Sequence, residues 1–205
     1  FVPDAAPTSA NVPVMVGFTS DELTLYNVGN PEWLNTSEAQ LLEAAERAAP
    51  SNGQALIDSY RELYPDQSPA YLLMQVNGTT RQIRGATQLA TAHAALSAPT
   101  YAYVFAHPLP PQDFVMKSPH TAEIPYIMDN VRKAPLFAGA TEVDFAVEDM
   151  MSNIWVNFAR TGNPNAEGLP EWPQYNAETR PTMFLSANSH LVEKPFQTAL
   201  DLGAD

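Results

Sequence analysis

Two short stretches of this chain carry side chains able to move protons. One is Ser118-Pro119-His120-Thr121-Ala122-Glu123-Ile124-Pro125-Tyr126, a histidine between prolines with a carboxylate three residues on. The other is Thr19-Ser20-Asp21-Glu22, which follows an apolar run ended by Gly17. Histidine is the side chain whose ordinary pKa suits a base near neutral pH, and a carboxylate can hold its tautomer and stabilise its charged form. Such a pair serves a nucleophile in acyl transfer. Two histidines compete for the part. His107 directly follows an aromatic run that ends at Ala106, and His120 lies deeper in the same Pro-rich loop. Spacing alone does not separate them, and it leaves Asp21-Glu22 equally readable as a solvated turn or a helix cap. His93 lies in an alanine-rich helical stretch and His190 near the tail, and both read as structural or surface residues.

Other chemistries find little support. The four histidines form no i, i+4 pair, HExxH is absent, and with no cysteine there is neither thiolate ligand, disulfide nor cysteine nucleophile. No metal site or other cofactor is implied. No GxGxxG or phosphate loop appears. The formal net charge of −13, from 23 acids against 10 bases, disfavours nucleic acid and anionic membrane as partners. No window approaches the roughly 18 apolar residues of a membrane span. The N-terminus, Phe1-Val2-Pro3-Asp4, has neither the basic region nor the apolar run of a signal peptide. No serine sits in a G-x-S-x-G elbow, the strained turn that exposes a nucleophile.

The elements that must hold these residues are legible in outline. A length of 205 residues with 45% hydrophobic content suffices for one substantial core. Val12 to Gly17 reads as a buried strand with Pro13 near its start, and Glu22 follows at its carboxyl end, where open α/β sheets place their ligands. Ser37 with Gln40 forms a capping box for a helix to Ala49. Further helices are expected over Asn52 to Leu63, Pro69 to Val76 and Thr80 to Leu96. Thr100 to Ala106 is the clearest strand, aromatic and β-branched. Asp144 to Ala159 reads as a helix capped by Asp144 and stopped by Gly162. Thr182 to Leu185 and Leu191 to Val192 suggest a terminal hairpin. Helices interleaved with apolar strands predict an α/β fold.

Three segments, in order, resemble the C-terminal part of the type B carboxylesterases, the cholinesterase-like branch of the α/β-hydrolases. Val12-Pro13-Val14-Met15-Val16-Gly17-Phe18-Thr19-Ser20-Asp21-Glu22 is similar to the family's V-P-V-x-x-G-x-N-x-D-E-G, whose glutamate is the triad acid. His120-Thr121-Ala122-Glu123-Ile124-Pro125-Tyr126 is similar to H-G-x-E-(I/L)-x-(F/Y), whose first residue is the triad base. Trp155 to Asn165, followed by Trp172-Pro173-Gln174-Tyr175, is similar to W-x-N-F-A-x-T-G-x-P-N … W-P-x-Y and is the most specific of the three.

The resemblance implies that Glu22 is the acid and that His120, not His107, is the base. It implies Leu25 and Tyr26 at the substrate pocket, with core packing nearly as good a reading for Leu25, and Glu123 as a buttress of the histidine loop. It implies that residues 1–205 are the C-terminal part of a single α/β-hydrolase domain, with a mixed, mostly parallel sheet and flanking helices. An upstream polypeptide of the same precursor would complete it and bring the serine. The expected reaction is hydrolysis of a small carboxylic ester by a Ser-His-Glu triad. The alternative is a cholinesterase-like adhesion or scaffold module that has lost catalysis, against which the retention of Glu22 and His120 counts. Thr19, Leu23 and Thr121 depart from the family's Asn, Gly and Gly. Animal relatives carry disulfides in this region, so a cysteine-free chain is expected to be bacterial.

Overall fold

The computed structural model describes residues 8–27, 29–109 and 116–203. A four-stranded sheet runs in the order β1-β2-β3-β4. β1 (Val14–Thr19), β2 (Thr100–Phe105) and β3 (Thr182–Leu185) are parallel, and β4 (His190–Val192) returns antiparallel to β3. This is the expected mixed, mostly parallel sheet. The terminal hairpin is also as expected, with Thr182 opposite Val192 and Phe184 opposite His190.

β1 begins and ends two residues later than its sequence suggests. Pro13 stays outside the ladder, whose first bond is from Val14 N to Pro99 O at 2.9 Å, and Phe18 and Thr19 continue to pair with Val104 and Phe105. Gly17 has a steric reason. A Cβ there would lie 2.4 Å from the Tyr103 carbonyl oxygen and 2.5 Å from its ring, so only glycine lets that ring lie across β1.

Seven helices flank the sheet among the described residues: α1 (Glu38–Ala48), α2 (Gly53–Leu63), α3 (Pro69–Gly78), α4 (Arg84–Ala94), α5 (Ile124–Ile127), α6 (Glu142–Thr161) and α7 (Gln197–Leu202). β2 shows why both faces need covering. Its alternate side chains enter different cores. Tyr101 and Phe105 pack with α5 and α6 residues such as Tyr126, Met151 and Ile154, while Val104 packs with Leu41, Leu56, Tyr60 and Leu72 of α1 to α3.

The capping box of α1 is present in both directions between Ser37 and Gln40. At α6 the expected cap is displaced. Thr141 is the N-cap and Asp144 is the third helical residue, because the Thr141 hydroxyl accepts from Asp144 N while the Asp144 carboxylate accepts from Thr141 N at 2.9 Å. The helix predicted over Thr80 to Leu96 divides into a π-helical turn, Thr79–Ile83, and α4. The wider turn falls where glycine and two threonines, all weak helix formers, succeed one another.

The Trp155–Tyr175 signature is a clasp. α6 ends on Gly162 at φ 74°, where a side chain would also strike Pro13, its Cβ falling 2.7 Å from the proline Cγ. Beyond it, the Asn165 side chain accepts from Trp172 N at 2.8 Å and donates to Trp172 O at 3.0 Å. Asn157 donates to Asn165 O. The buried Trp172 is thereby fixed beneath Tyr101 of β2.

Candidate active site

Parallel pairing brings the carboxyl ends of β1 and β2 side by side, Thr19 opposite Phe105. From those ends leave the Glu22 segment, a 3-10 turn spanning Glu22–Asn27, and the loop that carries His120. Main-chain bonds zip the two together. Asp21 N donates to Ser118 O at 3.0 Å and His120 N to Glu22 O at 3.4 Å. The Thr24 hydroxyl donates to Met116 O at 2.8 Å.

The zipper places His120 Nδ1 2.5 Å from Glu22 Oε2. A carboxylate only accepts, so Nδ1 carries the hydrogen and Nε2 is the basic nitrogen. The other Glu22 oxygen accepts from Thr19 N at 2.8 Å, so the acid is held at both ends. Its side chain is 10% exposed, whereas that of His120 is 44% exposed. Among the described residues no hydrogen bond occupies Nε2 of His120. Tyr26, itself exposed, stacks on the imidazole with centroids 5.8 Å apart at 27°. Such an arrangement can accept a proton at Nε2 and stabilise the resulting imidazolium through Glu22.

The residue after the histidine is bent into the left-handed region, with Thr121 at φ 70°. A β-branched residue is strained there, which gives a physical reason for the glycine of the resembling motif. The threonine keeps the turn all the same, and its hydroxyl donates to His120 O. Glu123 is half-buried, and among the described residues its Oε2 has no hydrogen-bond partner. Burial pushes its carboxyl above the ordinary range. A backbone hydrogen bond opposes this and the Glu22 charge adds to it. Glu123 is therefore reluctant to place a second negative charge beside the pair.

The competing histidine lies elsewhere. His107 is buried, and its Nε2 donates to Asp144 Oδ1 at 2.9 Å. Its carbonyl accepts from the Ser118 hydroxyl, and the rings of Phe105 and Tyr126 flank it. It is walled off from any external substrate. His93 is also buried and shares a hydrogen bond with the Thr100 hydroxyl at 2.7 Å. His190 is exposed at the hairpin. Leu25 is partly buried against the core of Phe105 and Tyr126, which matches the packing reading of that residue.

Sequence reasoning gave Asp21 no part beyond a turn or cap, yet it is buried and bonded to both α3 and the histidine loop. Its adjacency to Glu22 and its match to the aspartate of the resembling motif are the signs the sequence offers. Among the described residues no group of His, Asp or Glu is arranged to hold a metal ion. No helix is long and apolar enough to cross a membrane.

Comparison with known proteins gives a consistent picture. The chain is 28% identical over 200 residues to the para-nitrobenzyl esterase of Bacillus subtilis (strain 168), matching 93% of this chain and 37% of that protein. It is 37% identical over 91 residues to carboxylesterase 5A of Canis lupus familiaris, matching 41% of this chain and 16% of that protein. Among solved structures it is similar to the Geobacillus stearothermophilus carboxylesterase EST55, with a TM-score of 0.79 and 27% identity over 98% of this chain and 42% of that one. An esterase from Clostridium hathewayi follows at a TM-score of 0.70 and 28% identity, over 94% of this chain and 37% of that one. The chain thus spans less than half the length of each of these relatives. A family model described as the carboxylesterase family matches residues 3–202, and the chain belongs to that family.

Proposed function

We propose that this chain is the C-terminal part of a serine carboxylic ester hydrolase, contributing Glu22 and His120 to a Ser-His-Glu triad. The serine would come from an upstream polypeptide of the same precursor. The observation that carries the reading is the bond between His120 Nδ1 and Glu22 Oε2 at the carboxyl ends of adjacent parallel strands, with Nε2 open on an exposed ring. The order also fits, since this fold runs nucleophile, acid, histidine.

In the proposed mechanism the serine oxygen attacks the ester carbonyl while His120 Nε2 takes its proton. Glu22 holds the imidazolium. The tetrahedral intermediate collapses, the C–O bond to the alcohol breaks, and His120 returns the proton to that oxygen. Water then attacks the acyl-enzyme by the same route, giving the carboxylic acid and restoring the serine. Oxyanion donors from the upstream portion would lower each addition barrier by about 3 kcal/mol apiece.

The sheet supports the need for an upstream partner in one place. β1 is an apolar strand, Val-Met-Val-Gly-Phe-Thr, of which only Thr19 is buried, and among the described residues it pairs with β2 alone. Such an edge invites a further strand. β2, by contrast, is bonded on both sides, to β1 and to β3.

The name of the Bacillus relative makes p-nitrobenzyl and p-nitrophenyl esters suitable probes. In the complete enzyme, His120→Ala is expected to cut ester turnover by about four orders of magnitude or more while the protein stays folded. Turnover near the wild-type level in that variant would sink the assignment of His120, and absence of ester turnover in the complete wild-type protein would favour the scaffold reading.

A further inference from the structure

We propose that Asp21 is a positioning residue, a buried carboxylate that sets the register of the Glu22 segment against the His120 loop and so holds the two catalytic side chains in bonding geometry. The inference rests on the reading of Glu22 and His120 as the catalytic acid and base.

Both oxygens of Asp21 are engaged by donors from different parts of the chain. Oδ1 accepts from the Tyr71 hydroxyl at 2.6 Å and from Gln75 Nε2 at 3.3 Å, both on α3. Oδ2 accepts from the neighbouring Ser20 hydroxyl at 2.5 Å and from Ser118 N at 3.2 Å, two residues before His120. Its own main chain completes the knot. Asp21 N donates to Ser118 O at 3.0 Å, and the Thr24 hydroxyl shares its one hydrogen between Met116 O and Asp21 O, the latter at 2.7 Å. Gln75 Nε2 also reaches Ser20 O at 3.2 Å. Every group around the carboxylate presents a hydrogen, which is the environment of an ion rather than of a protonated acid.

The charged and titratable groups facing it are few. From the loop, Lys117 Nζ sits 3.4 Å above the Tyr71 ring and 5.9 Å from that of Tyr64. Tyr71 comes from α3, Tyr64 from the end of α2, and Glu22 adjoins it in the chain. Burial, and after it the Asp21 charge, holds both phenols above their usual range.

Burial raises the Asp21 carboxyl above its ordinary value of 3.8, against its hydrogen bonds and Lys117. The folded state therefore holds that proton more tightly than the unfolded chain, and stability falls as pH rises through the interval above 3.8. What Asp21 supplies is a fixed distance between two loops.

The test uses the complete esterase with a p-nitrophenyl ester, alongside His120→Ala. Asp21→Asn is expected to lower kcat about thirtyfold with KM within about twofold, since a small misplacement of an acid–base pair falls on the chemical step. The far-downfield NMR signal of the His120 Nδ1 hydrogen should move upfield in the same variant. A kcat within about twofold of wild type, or a lower kcat with that resonance unmoved, overturns the proposal. If Asp21→Asn does not fold, Tyr71→Phe decides. It removes one donor and keeps the carboxylate. It should lower kcat about threefold and shift the resonance part of the way, and no change in either overturns the proposal. Retained turnover in His120→Ala would instead sink the catalytic reading, and the resonance alone would then show whether Asp21 positions the pair.

Discussion

Two histidine–carboxylate pairs hang from the same loop, and they have opposite characters. His107 and Asp144 are 2.9 Å apart, with side chains only 8% and 6% exposed. His120 and Glu22 are 2.5 Å apart, with the acid sheltered and the base 44% exposed. In the first pair the second ring nitrogen, Nδ1, is buried and among the described residues has no partner. The Asp144 carboxylate there also accepts from Tyr126 and caps α6 through Thr141. In the second pair the remaining nitrogen is open to whatever approaches. On the proposed reading, identical chemistry thus serves packing in one place and proton transfer in the other. Access to the free nitrogen decides which.

The sharpest way to break the comparison is to spoil each carboxylate in turn. Glu22→Gln in the complete enzyme is expected to lower kcat by about 10⁴, because the amide no longer enforces the tautomer or supports the imidazolium. Steady-state hydrolysis of a p-nitrophenyl ester measures it, and a loss under about tenfold would mean that His120 works without its partner.

Next in size is a stability effect. His107→Leu should cost about 3 kcal/mol in urea unfolding, since it strands a buried carboxylate, yet leave kcat within about threefold. A collapse of kcat in a folded variant would erase the distinction between the pairs.

A smaller effect is visible in acid. Burial pushes the Asp144 carboxyl up, but hydrogen bonds from Thr141 and His107 outweigh it and hold it below 3.8. Its stabilisation is therefore complete above the unfolded value and is lost as pH falls through the lower folded one. Thermal melts between about pH 5 and pH 2 should show a flatter acid limb for Asp144→Asn than for the wild type. Identical limbs would remove Asp144 from the account.

The smallest effect belongs to Tyr26. Removing the ring that stacks on His120, as Tyr26→Leu, should cost about 1 kcal/mol in kcat/KM. A null result would assign that contact to surface packing.

Local order was readable in advance where it depends on neighbours in sequence. The Ser37–Gln40 box, the aromatic run of β2 and the Gly162 stop each fall within one turn or one strand. The α6 cap was misread because Thr141 and Asp144 are both good caps, and only their reciprocal bonds show which one leads. The π-helical turn depends on how α3 runs into α4, which periodicity does not encode.

The site is legible only through the likeness of its motifs. Glu22 and His120 are 98 residues apart in sequence, and nothing in either segment names the other. The bonding of Asp21 was not legible for the same reason, its donors coming from α3, the histidine loop and Ser20.

That separation has a kinetic consequence. α1, α2 and α3 pack on one another through contacts close in sequence and can assemble early. The pair cannot. It must wait until Val14 has found Thr100 and the parallel ladder has closed as far as Phe105. Loop closure of that length is slow, and its entropy is spent before any ladder bond forms. During refolding, helical signal is therefore expected to return first and the His120–Glu22 bond last, so that the helices are built before the pair exists.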